Sequence, residues 1–181
     1  MTRTGPNQPD PGEAERMAAT REEAASGWTQ TLDDMRAMAA DREESGYETL
    51  TVQTGNTAPK GPDQGDDDRW GLFYVVPGNV ADELGAFLDR ADFEETGVYQ
   101  ATIGRDTFIV TEAIDHDAGM ILFVAGAYRR GAAGPLVEAA MDRGRMYSHL
   151  RRVDGTRLGS IEHEDPDAFF PDPDAILRDA W

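Results

Sequence analysis

Residues 98–113, VYQATIGRDTFIVTEA, followed after a short gap by residues 120–128, MILFVAGAY, decide how this chain is expected to fold. In the first stretch apolar and polar residues alternate on both sides of Gly104-Arg105. Alternation at period two marks strands that bury one face. A Gly-X pair between two such runs suits a two-residue type II′ hairpin. In that register Tyr99, Ala101, Ile103, Phe108 and Val110 share one face, which reads as core. Gln100, Thr102, Thr107 and Thr111 share the other, which reads as solvent-facing. Residues 120–128 do not alternate. They are apolar on both sides, as in a central strand that is covered on both faces.

Outward from this centre the chain divides into four parts. Residues 1–12 are polar and carry Pro6, Pro9 and Pro11, which reads as a disordered lead. Residues 13–44 hold no Pro and are rich in Ala, Glu, Arg and Met, which predicts a helix. Trp28, Leu32, Met35 and Ala39 fall at helical spacing and form a narrow apolar seam for docking, with Gly27 a point of weakness. Residues 45–164 read as an α+β domain. Strands are predicted over 47–53 and 70–76, with a mobile loop over 56–68 between them. A helix follows to Arg90, with Asn79 able to cap it. After the central strands, Gly134-Pro135 opens another helix, which Gly144 closes. A last hairpin, 146–153 and 156–163, turns at Asp154-Gly155, a type I′ signal. In residues 165–181 Asp-Pro-Asp-Ala occurs twice, each copy starting a helical turn. Phe169, Phe170, Ile176 and Trp181 are expected to pin this tail to the domain. The fold class is α+β: a mostly antiparallel sheet of about six or seven strands, two packed helices and a long N-terminal helix.

Charge is the strongest compositional signal. The chain has 181 residues, with 35 Asp plus Glu against 17 Lys plus Arg, a formal net charge of −18. Lys60 is the sole lysine. Self-repulsion at such a charge opposes compaction, and molar salt, with a Debye length of roughly 3 Å, removes most of it. The composition therefore suits the cytoplasm of a high-salt cell. There is no cysteine, so disulfides and thiolate metal sites are excluded. No apolar run approaches the roughly 20 residues of a membrane helix, and residues 1–11 lack the apolar core of a secretory signal. A cytoplasmic location away from the membrane is expected.

The signatures of common chemistry are missing. There is no Walker A motif, no G-x-G-x-x-G between strand and helix, and no G-x-S-x-G elbow. His116 stands beside Asp115 and Asp117, and His163 between Glu162 and Glu164. In the predicted hairpin, however, Ser160 opposes His149 and Met146 opposes His163, so these two histidines face opposite ways. Acidic neighbours come by chance in a chain this acidic. No metal, cofactor or catalytic residue is assigned, and an enzyme is the less favoured reading.

The irregularity lies in the arginines. Arg129, Arg130, Arg143, Arg145, Arg151, Arg152 and Arg157 are opposed only by Glu138, Asp142 and Asp154. This segment is cationic within an anionic body. Its guanidinium forks suit carboxylate and phosphate, and three uses compete. The arginines pair internally with the acidic N-terminal helix or the tail, or meet an acidic protein partner or a second copy of the chain. They could instead bind nucleic acid or a phosphorylated ligand, with Arg129 and Arg130 before the helix at Pro135 as the anion candidates. The net charge weighs against nucleic acid.

Trp70-Gly71-Leu72-Phe73-Tyr74-Val75-Val76-Pro77-Gly78 and the strands from Tyr99 to Tyr128 resemble a group of uncharacterised haloarchaeal proteins of unknown function. The resemblance spans about 45–165, in keeping with one domain of ordinary size, and carries no functional residue. The function expected is a non-enzymatic protein-interaction or regulatory module. A small-molecule-binding protein or enzyme with an Arg-lined pocket, drawing on Arg129, Arg130, Tyr147 and His149, is the alternative. A nucleic-acid-associated protein is the third reading.

Overall fold

A computed structural model of the protein describes residues 11–64 and 69–180. Residues 1–10 of the expected lead, 65–68 of the expected loop, and Trp181 lie outside the described residues.

The elements run α1 (Pro11–Glu44), β1 (Glu48–Gln53), β2 (Thr57–Lys60), β3 (Gly71–Val76), α2 (Gly78–Arg90), β4 (Glu95–Ile103), β5 (Asp106–Asp115), β6 (Met120–Arg129), α3 (Gly134–Arg143), β7 (Met146–Arg152), β8 (Arg157–His163) and α4 (Pro173–Ala180). Short 3-10 segments, Arg130–Ala132 and Pro166–Ala168, lead into α3 and follow β8. The single mostly antiparallel sheet expected from the sequence is corrected. The eight strands form two mixed sheets of four, ordered β1-β6-β5-β4 (sheet A) and β2-β3-β7-β8 (sheet B). Each holds one parallel pair, β1 with β6 and β3 with β7. Strand periodicity does not carry partner identity, and both parallel pairs join segments far apart in sequence.

The inner faces of the two sheets share one apolar cluster. Leu50, Val52, Ile109, Leu122 and Val124 come from sheet A, and Leu72, Tyr74, Val76, Leu150 and Ile161 from sheet B. α2 adds Ala81, Leu84 and Phe87, and α3 adds Leu136, Val137 and Ala140. The outer face of sheet A is covered by α1. Leu32, Met35 and Ala39 pack there on Val110, Ile114, Ile121, Phe123 and Ala125, with Trp28 half-buried at the margin. The inner strands β5 and β6 of sheet A are therefore buried on both faces, while the edge strand β4 stays largely exposed, Tyr99 and Ala101 of the expected core face included. This explains the continuously apolar β6, which lies between β1 and β5. It also corrects the expected solvent face of the β4–β5 hairpin. The pairing Ile103↔Asp106 is as the alternation implies, but Thr107 and Thr111 are buried.

Further local expectations are revised by backbone detail. β2 occupies part of the expected loop, pairing with β3 despite Pro59. It is an edge strand, where a missing N–H costs little. Pro77 takes the N-cap of α2 with no side-chain capping bond, so Asn79 is not the cap. Asp154 has no positive φ, so the β7–β8 connection is not type I′. It is a longer loop, with Gly155 at φ 91 and a register shift between Leu150 and Arg151. α1 runs unbroken through Gly27. A Cβ there would lie 2.5 Å from Ile103 Cδ1 and 3.0 Å from Phe108, so this glycine admits the hairpin close to the helix.

An ion pair anchors the C-terminal end of α1. Arg42 Nη2 lies 3.0 Å from Glu112 Oε1 on β5, and Glu112 is buried. Burial pushes the Glu112 carboxyl upward, and the Arg42 guanidinium opposes that shift. Glu112 Oε2 has no hydrogen-bond partner, so removing Arg42 would strand a buried charge.

The two sheets approach closely at Gly126. A Cβ there would lie 2.5 Å from Thr57 Oγ1 and 2.7 Å from the Tyr74 ring. Neither can retreat, because Tyr74 is fully buried. Gly126→Ala is expected to destabilise the fold by about 1–3 kcal/mol through overpacking. Gly85→Ala, in α2 with nothing within 4 Å, should stabilise it by up to about 1 kcal/mol through helix propensity. Chemical denaturation of the two variants measures both signs.

Candidate functional site

The seven arginines of the cationic segment do not converge on one place. None pairs with α1 among the described residues. Arg152 pairs with Asp82 on α2 at 2.5 Å. Arg130 binds Asp179 on α4. Arg129 is mostly exposed, 4.0 Å from Asp106. Arg145 and Arg157 are exposed. Arg143 lies over the ring of Trp70, which precedes β3, and Arg151 over the ring of Phe73 on β3. The expected grouping of Arg129 and Arg130 with Tyr147 and His149 does not form: the cleft beside the two arginines is lined by neither.

The outer face of sheet B is the best-defined cationic surface. Pairing places Phe73 beside Ala58 and His149. The alternation of β3 and β7 turns Phe73, Val75, Tyr147, His149 and Arg151 outward. Phe73 is buried, yet it belongs to neither apolar cluster. Its cover is polar. Lys60 Nζ lies 5.2 Å from its ring centroid, Arg151 Cζ 5.5 Å, and the His149 ring 4.6 Å. Nearby, Trp70 meets Tyr147 edge-on at 5.3 Å, and Arg143 Cζ sits 5.3 Å over Trp70. Among the described residues Lys60, Arg143 and Arg151 have no ion pair. Each ring contact holds a cation for about 0.5–1 kcal/mol without neutralising it.

His149 fixes this face internally. Its Nε2 is 2.8 Å from Trp70 C=O, which can only accept, so Nε2 carries the proton. In the neutral ring Nδ1 then accepts from Ser160 Oγ–H at 2.6 Å.

On the inner face of the same hairpin, His163 is buried with both ring nitrogens engaged. Nε2 is 2.8 Å from Ser148 Oγ, and Nδ1 is 3.0 Å from Thr96 Oγ1. The opposite facing of His149 and His163 agrees with the pairing read from the sequence. Burial, with a smaller push from His149, lowers the His163 pKa to about 4. Beyond it lies an acidic cleft of 540 Å³ that includes Glu94, Glu95, Glu162, Glu164 and Asp165. Ser148 and His163 form a hydroxyl–imidazole pair, but the partner at Nδ1 is a threonine rather than a carboxylate. His116 is engaged elsewhere, with Nε2 2.5 Å from Glu95 and Nδ1 3.1 Å from the Tyr47 hydroxyl. Among the described residues no group of three or more His, Asp or Glu is placed to hold a metal ion, and no helix is long and apolar enough to cross a membrane.

Lys60 joins Phe73 on the cationic face, and Arg105 stands beside Arg129, only through tertiary contacts: β2, which carries Lys60, has no strand pattern of its own.

Fold and surface together define an α+β domain of two packed mixed sheets, an acidic body with cations held on the outer face of one sheet. The chain belongs to a protein family of unknown function, DUF7529, whose family model matches residues 14–171. The match begins inside α1 and ends before α4, so it takes in the long helix as well as both sheets. Comparison with curated proteins and with solved structures found no match.

The His163 environment sets a pH signature. A folded pKa lowered from 6.5 to about 4 favours the neutral ring. Stability should therefore fall as the pH drops below about 6.5, where the unfolded ring protonates, and this contribution should level off near pH 4. The full effect is about 3 kcal/mol. Denaturant unfolding at neutral and acid pH should show a shallower loss for His163→Gln than for the native chain.

Proposed function

We propose that the protein is a non-enzymatic interaction module of a high-salt cytoplasm, and that the outer face of sheet B takes an acidic polypeptide segment. The observation that carries this reading is that Lys60 and Arg151 on the Phe73 ring, and Arg143 on the Trp70 ring, have no ion pair among the described residues. In a chain with 35 carboxylates, a cation left without one is available to an outside anion. Rings beneath the cations restrict their rotamers, which lowers the entropy lost on binding. An extended acidic segment can reach cations on β2, on β7 and at the end of α3, which a compact ligand does not. The seam of α1 supports an internal role for that helix, since its apolar residues already cover sheet A.

Fluorescence anisotropy with a labelled oligo-glutamate peptide tests the face. In about 1 M KCl, where the Debye length is roughly 3 Å, the native chain should bind. The triple variant Lys60→Gln, Arg143→Gln, Arg151→Gln should bind about tenfold more weakly, a loss of about 1.4 kcal/mol. No binding by the native chain, or equal binding by the variant, rejects the reading. The host environment has its own measurement. The melting temperature should rise as KCl increases from about 0.1 M to about 1 M, because screening relieves self-repulsion. A flat or falling curve removes the high-salt assignment.

A further inference from the structure

A second group of cations stands around a cleft of its own. The β4–β5 hairpin turns at Gly104-Arg105, and Arg130 N–H donates to Arg105 C=O at 2.9 Å. That bond holds the turn against the segment leaving β6. Arg105, Arg129 and Arg130 consequently line one cleft of 600 Å³, within the usual size range for small-molecule sites.

Among the described residues Arg130 alone of the three guanidiniums has a carboxylate nearer than 4.0 Å. Arg130 Nε donates to Asp179 Oδ2 at 2.7 Å, and Nη2 donates to the same oxygen. Arg129 comes no nearer than 4.0 Å to Asp106, and its side chain is 73% exposed. Arg105 is exposed, with no ion pair among the described residues. Asp179 sits on α4, anchored to the body by Ile176. It occupies the Nε–Nη edge of the Arg130 fork, the edge that grips phosphate and carboxylate bidentately. An internal anion thus fills one position, and two guanidiniums stand open beside it. Among the described residues no apolar side chain larger than Ala132 lines the cleft, so a ligand gains there from these residues through charge.

We propose that this cleft binds a compact polyanion bearing two or more phosphoryl groups, and that Asp179 is its internal competitor, displaced from Arg130 on binding. Ligand binding then loosens the last turn of α4, which places the readout at the C-terminal helix. The proposal is independent of the sheet B face and stands or falls by itself.

Isothermal titration of the full chain with pyrophosphate in about 1 M KCl tests it. The native chain should bind with a Kd of about 1 mM or tighter. Arg105→Gln/Arg129→Gln alters exposed side chains only and should weaken binding about tenfold or more while leaving the melting temperature unchanged. Asp179→Asn should bind pyrophosphate several-fold more tightly than the native chain, because the competitor has lost its charge. If Arg130–Asp179 is only a brace for α4, Asp179→Asn lowers the melting temperature with no gain in affinity, and the proposal fails. It fails equally if neither the native chain nor Asp179→Asn binds. Orthophosphate binding as tightly as pyrophosphate overturns the requirement for two phosphoryl groups.

Discussion

The architecture depends on how closely sheet B is pressed onto sheet A. At Gly126 the missing side chain leaves room for the Tyr74 ring and Thr57. That contact brings the inner faces near enough to share one cluster. It has a polar consequence. Sheet A presents Thr107 and Thr111 inward, and sheet B presents Tyr74, Ser148 and His163. Once the sheets close, these groups must satisfy one another or remain unsatisfied. His163 succeeds, with a hydroxyl on each nitrogen. Tyr74 Oη and Thr111 Oγ1 are left without a bond of normal geometry, and burial pushes the Tyr74 hydroxyl up to about 12. The neutral forms of Tyr74 and His163 are thus favoured by the same closure that builds the core.

The same packing decides which surfaces are free for binding. α1 covers the outer face of sheet A and locks its C-terminal end with Arg42 and Glu112. Sheet B receives different treatment: its outward Phe73 is roofed by Lys60, Arg151 and His149. A ring roofed by cations is shielded from aggregation and remains electrostatically available, unlike a ring buried under a helix. The two sheets, similar in strand number and in having one parallel pair each, therefore serve different purposes.

Much of the element order was legible in the sequence because it is local. The hairpin register at Gly104-Arg105, the central apolar β6, the Gly144 helix end and the two Asp-Pro-Asp-Ala starts each rest on short-range pattern. What failed was long-range. Alternation in β5 shows that two faces differ, and not that the polar one meets another sheet. β2 is short, contains Pro59 and sits in a Gly- and Asp-rich stretch, so its strand identity comes entirely from pairing with β3. The arginine excess was visible as charge along the chain. Its division into a ring-supported pair, a cleft pair and isolated surface groups was not, because Arg105, Lys60 and Phe73 join it only through tertiary contacts.

An acidic chain that keeps cations unpaired presents an apparent conflict, and the ranges of the forces resolve it. Repulsion from a net charge of −18 acts over the Debye length, about 10 Å at 0.1 M salt and about 3 Å at 1 M. A direct guanidinium–carboxylate contact, once formed, is charge-assisted and partly dehydrated, so it survives screening better than the diffuse field does. Rising salt thus removes the body's objection to an anion faster than it removes the local attraction. Lys60, Arg143 and Arg151, together with the Arg105–Arg129 pair, would be poor anion sites on this body in dilute buffer. On the proposed reading molar salt makes them selective ones, because an anion then gains by contact at these points rather than through a long-range field. The acidity and the retained cations are then, on the proposed reading, one adaptation, in which recognition falls to the few positive groups that carry no close carboxylate among the described residues.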